Sequence, residues 1–223
     1  MATIRSAERP VLSAADTQLA RVASNGCARH PHLQILVEAT GRDAGRDLSD
    51  AVHLLCGLHG HYPGLIEIAL QRCPSGAPQQ WLTRASEAFE RERLYLVRLT
   101  SAVGPLPSTP GAAETEASLQ GARRALEMLA QSERQGCALG SATALIGDWW
   151  PIRRVLDRAG ARAGVPTPPP SLPDEASVVH VIESLATSPA TARALSFGAE
   201  QLLLQHRALF DLLEARAEAR SDY

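Results

Sequence analysis

The sequence predicts an all-α fold, a multi-helix bundle of about eight helices, two of them long. Alanine, leucine, arginine and glutamate dominate, while β-branched residues are sparse and aromatics make up only 4% of the chain. These abundant types lose least on entering a helix. Apolar positions recur every three to four residues rather than in alternation. Helix-start signals follow the breaks: Ser13 with Asp16, Asp47 before Leu48, Pro78 after a turn at 73–77, and Ser188 before Pro189.

In order, helices are expected over 13–25, 32–40, 47–58 and, past the turn HGHYPG, 65–72. The segment 78–103 is a long amphipathic helix with Trp81, Ala85, Ala88, Phe89, Leu96 and Leu99 on one side. Proline-rich connections follow at 104–112 and 165–173, both expected to be extended. Between them 113–160 is helical but too long for one straight rod, and Pro151 is the expected break. The last helices are 174–186, opened by the Ser171 to Asp174 capping pattern, and the long 189–219. A chain of 223 residues arranged this way reads as a single domain, 1–223.

Composition removes several chemistries. Charge is nearly balanced, 22 basic groups against 24 acidic, which gives no general attraction to nucleic acid or anionic membrane. There is no lysine, so Schiff-base catalysis, pyridoxal phosphate attachment and a P-loop lysine are all excluded. All-arginine usage fits GC-rich coding, and a bacterial source is expected. Cys27, Cys56, Cys73 and Cys137 form no C-x-x-C. Zinc-ribbon and thioredoxin-like motifs are therefore absent, and free thiols are expected. No stretch of about 18 apolar residues occurs, and the first twenty residues contain no apolar run of signal-peptide length. A cytoplasmic location is expected. G-x-S-x-G and Gly-rich phosphate loops are missing as well.

Some polar residues sit where helical spacing calls for apolar ones. Glu92 lies between Phe89 and Leu96, Glu133 between Leu129 and Cys137, and His206 between Leu202 and Leu209. Two carboxylates and an imidazole from three helices are thus expected to point inward, each needing an arginine, histidine, metal or water as partner. Of the group His53, His59 and His61, His59 is expected to pack or cap at a helix end beside Leu55 and Tyr62. The H-E-x-x-H spacing is missing and no metal ligand is assigned. Asp148 reads as an N-cap, with Trp149, Trp150 and Pro151 in the first turn after it. Gly136, Gly140, Ala144 and Gly147 make a small-residue face, expected to take a close helix crossing with the final helix. On that reading Gly140→Leu is disruptive and Gly140→Ala mild.

Several long helices around a polar centre resemble, in outline, haem-oxygenase-like and ferritin-like bundles. No family motif is matched, and the paired Glu-x-x-His of di-iron bundles is absent. The resemblance implies an enzyme using a metal or organic cofactor in the inner pocket, which no motif specifies. The leading expectation is a binding or protein-interaction role with an internal small-ligand pocket at Glu92, Glu133, His206, Asp148, Trp149 and His59. A homodimer and a small-molecule ligand are the expected partners, nucleic acid and membrane are not.

Overall fold

The structure, a computed structural model, describes residues 12–41 and 43–221. Nine α-helices carry those residues and no strand occurs among them: α1 (Ala14–Asn25), α2 (Pro31–Glu38), α3 (Ala44–His59), α4 (Leu65–Arg72), α5 (Ala77–Ala102), α6 (Ala112–Ala130), α7 (Cys137–Ala163), α8 (Glu175–Leu185) and α9 (Pro189–Ser221). A short 3-10 turn, Cys27–Arg29, links α1 to α2. No helix among the described residues is long and apolar enough to cross a membrane.

Ser13, Pro78 and Ser188 act where the sequence places them, whereas α3 opens at Ala44 with Asp47 inside its first turn and α8 is capped by Asp174 rather than by Ser171. Ser13 Oγ accepts from Asp16 N–H at 3.0 Å, Asp174 Oδ1 accepts from Ser177 N–H at 2.9 Å, and Ser188 Oγ accepts from Thr191 N–H at 3.1 Å. Each satisfies a backbone donor that the first helical turn leaves unpaired. All four cysteines are free.

The stretch 113–160 breaks elsewhere than expected. It ends its first helix at Ala130, and Gly136 opens the second with φ +102°, a left-handed conformation suited to glycine. Gly136 is therefore a turn residue and not mid-helix, and Glu133 is exposed in the same turn rather than on an inward stripe. Pro151 lies inside α7, which continues through it. The lost hydrogen bond and ring crowding of an interior proline amount to about 3 kcal/mol. Burial of Trp149, Ile152, Val155 and Leu156 on the same helix offsets that. Asp148 is consequently deep within a helix and caps nothing.

Buried along most of its length, α7 is the axis of the core, flanked by Trp81, Phe89, Tyr95 and Leu96 of α5 and by Leu202, Phe210 and Leu213 of α9. Its small-residue face meets α9 at Gly136 and Gly140, while Gly147 faces Val22 of α1 instead. A Cβ on Gly140 would collide with the Leu195 carbonyl, and one on Gly198 with the Cys137 carbonyl. The backbones touch. Thr191 lies by Gly136, Leu195 by Gly140 and His206 by Asp148, so contacts advance together along both helices, which therefore run parallel. The expectation that Gly140→Ala is mild does not survive this geometry, because even a methyl group meets main chain.

Gly140→Ala is expected to destabilise by at least about 2 kcal/mol, since a backbone obstacle cannot rotate away. Gly121→Ala, mid-helix on α6 with nothing near its Cβ position, is expected to stabilise by about 0.5–1 kcal/mol. Urea denaturation of the two variants tests this, and equal effects would contradict the α7 to α9 contact.

Candidate functional site

The centre of the molecule is a line of buried polar side chains drawn from four segments. Asp148 on α7 and His206 on α9 are both fully buried, with Oδ2 and Nδ1 2.8 Å apart. His206 Nε2 lies 3.0 Å from Nε2 of His59, the last residue of α3. The other carboxylate oxygen of Asp148 accepts from the Cys27 backbone N–H at 2.9 Å. Gly26 allows that approach, since a Cβ there would collide with Oδ1.

An ionised carboxylate can only accept, so Asp148 fixes the proton of His206 on Nδ1. The contact between the two Nε2 atoms then carries a single proton, donated by one ring and accepted by the other. Burial, followed by the charges of His206, His61 and Arg93, holds His59 well below its usual titration range, so it stays neutral. The ring of His59 stands edge-on to Trp149 at 5.4 Å and to Phe89 at 6.2 Å. Cys27 directs its thiol at the Asp148 carbonyl, 3.5 Å away. Burial and the nearby Asp148 carboxylate push that thiol far up, which keeps it protonated and a poor nucleophile.

A second buried group adjoins the first through Trp149. Its indole Nε1–H donates to Glu92 Oε2 at 3.1 Å, and Arg153 donates to Glu92 Oε1 at 2.7 Å. Burial raises the Glu92 carboxyl, opposed by the Trp149 hydrogen bond and the Arg153 charge. Arg153 also bonds Asp157 at 2.7 Å and the Pro168 carbonyl. Thus Glu92, His59, Asp148, Trp149 and His206 form one connected set, and Glu133 stands apart from it.

Several buried groups escape the sequence reading. Arg93 pairs with Glu67 at 2.9 Å and with Glu90, and donates to the His59 carbonyl. Arg216 pairs with Asp50 at 2.9 Å, and Arg220 bridges Asp50 and Asp47. Asp50 shares a helix face with Leu54, and Arg216 follows Leu213 at helical spacing. That is the same signal that singles out Glu92.

Two cavities approach the central line. A void of about 10 Å³ lies beside His59, His61, Arg93 and Glu127, room for about one water. His61 Nδ1 is buried there without a protein partner among the described residues. The larger cavity, about 280 Å³, is bounded by α1, α7 and α8 and has Asp148, Gln18, Val22 and Ile146 in its wall. Its wall also holds Oε1-bearing Gln18, which is 2% exposed and donates through Nε2 to Thr143 Oγ1 at 2.6 Å and to the Gly140 carbonyl at 3.3 Å.

For a metal, the strongest donor set is Cys27, Asp148 and His206, whose ligand atoms lie within 4.8 Å of one another. His30, Asp211 and Glu214 form a second set within the same distance, with Asp211 exposed. A family model described as a family of unknown function, DUF6975, matches residues 22–221. The chain belongs to that family. No curated protein and no solved structure matches it. The matched span of this DUF6975 chain includes Cys27, His59, Glu92, Asp148, Trp149 and His206.

Unfolded histidine protonates near 6.5, while buried His59 resists protonation. The unfolded chain therefore binds more protons below that value, and stability is expected to fall as pH drops through it. His59→Gln is expected to reduce this slope by up to about 1.4 kcal/mol per pH unit. Urea titrations between pH 7.5 and 5 measure it. An unchanged slope would mean His59 is protonated within the fold.

Proposed function

We propose that this chain is a cytoplasmic, bacterial, single-domain binding protein whose small-molecule ligand occupies the cavity bounded by α1, α7 and α8. The observation that carries the reading is the size and wall of that cavity. About 280 Å³ exceeds the roughly 150 Å³ that holds benzene in an engineered protein. Leu19, Val22, Ile146 and Val178 supply apolar surface, and Gln18 and Glu175 supply a few polar groups. That combination is characteristic of ligand sites. The inner pocket expected at Glu92 and His206 is instead filled by their own partners, so the binding reading moves outward to the next face of Asp148. A homodimer would have the exposed Met128 and Phe197, which flank a groove between α6 and α9, as its available apolar surface.

A fragment mixture observed by ligand-detected NMR tests the reading. Binders are expected with the parent protein and are expected to be lost in Val22→Phe, which narrows the cavity, at unchanged helix content. Absence of binders, or binding indifferent to that substitution, would overturn it.

A second reading, a metal-dependent enzyme, is favoured by the Cys27, Asp148 and His206 donor set. Thiolate, imidazole and carboxylate together suit zinc or iron(II), and His59 stands where an outer-shell partner would orient His206. Cobalt(II) titration is the check. The reading expects a thiolate-to-cobalt absorption band that disappears in Cys27→Ser, and an unchanged spectrum removes it.

A further inference from the structure

The polar lining of the α1, α7 and α8 cavity accepts hydrogen bonds and carries negative charge. Gln18 is oriented without ambiguity. The Gly140 carbonyl can only accept, so the amide nitrogen must face α7. Its Oε1 then has no partner among the described residues. Thr143 spends its hydroxyl proton on the Leu139 and Gly140 carbonyls. Pro151 has no N–H to offer the Gly147 carbonyl four residues earlier, and both residues line the cavity. Glu175 adds a carboxylate to the wall, while the two oxygens of Asp148, also a wall residue, are taken up by Cys27 and His206. The chain has 22 arginines and seven histidines, yet no arginine or histidine among the described residues lines this space.

We infer that the ligand of this cavity is a small organic cation with N–H donors, a primary amine or guanidine on an apolar body. The inference rests on the binding reading above and deepens it. A buried acceptor left unpaired is a standing cost, which a ligand N–H recovers. Phosphates and carboxylates would add acceptors to acceptors and meet no cation among the described residues. A neutral hydrocarbon would leave Gln18 Oε1 unpaired. The apolar walls set the body of the ligand, and Glu175, exposed at the start of α8, favours arrival of positive charge.

Three probes of nearly equal shape separate the possibilities: 2-phenylethylamine, 2-phenylethanol and 3-phenylpropionate, titrated calorimetrically into the full chain at low and moderate salt. The amine is expected to bind at least about tenfold tighter than either other probe and to weaken as salt rises. Glu175→Gln, a surface change that leaves the core intact, is expected to weaken the amine two- to fivefold and leave the alcohol unaffected. Gln18→Met is expected to weaken the amine about tenfold. If the alcohol or the carboxylate binds as tightly as the amine and Val22→Phe abolishes it, the cation inference is overturned while the binding reading stands. If no probe binds, both fall.

Discussion

The contact on which the interior depends is the one between two stretches of main chain, at Gly140 of α7 and Gly198 of α9. Where backbones touch, the separation and register of two helices are fixed by carbonyl oxygens instead of adaptable side chains. About two turns further along each helix stand Asp148 and His206. At the spacing of ordinary helix pairs, about 8–10 Å between axes, short side chains can bridge only where one helix sits deep against the other. The glycine contact supplies that depth, and the 2.8 Å hydrogen bond between Asp148 and His206 reports it. His59 and the Cys27 turn are then placed by reference to this pair.

Buried arginine does for the periphery what glycine does for the centre. Arg153, Arg93 and Arg216 are each nearly inaccessible, and each holds a carboxylate together with a backbone carbonyl: Pro168, His59 and Pro107 respectively. A guanidinium presents five donors in a fixed plane, so one side chain can neutralise an acid and anchor a connection at once. Both proline-rich connections are fastened in this way, 165–173 to α7 and 104–112 to α9. A lysine, with one compact ammonium, could not span both partners as well. The absence of lysine from the sequence thus coincides with a structural use for what replaces it.

How much of this is legible in sequence follows from which interactions are local. Helix class and the Ser13 and Ser188 caps depend on neighbours within one turn, and they read correctly, while the cap of α8 falls on Asp174 instead of Ser171. Glu92 is identifiable because a charged residue on an apolar stripe requires a partner, although the partner, Arg153, lies on another helix. Asp148 is misread because the residue types that cap a helix are the same types that pair with buried histidine, and only the fold distinguishes them. Glu133 is misread because α6 ends at Ala130, three residues before it, and leaves it in the turn that Gly136 closes. The triad of Cys27, Asp148 and His206 has no local spacing at all, since its members meet only after α7 and α9 have docked.

Main-chain contact also constrains how such a sequence can change. When two side chains clash, shrinking either one makes room, and a second substitution can compensate a first. At Gly140 and Gly198 the obstacle is a peptide carbonyl, which every amino acid carries. No replacement at Leu195 or Cys137 can clear the way, so neither glycine has a compensating neighbour. The two positions are isolated from the gradual exchange of volumes by which protein cores ordinarily drift.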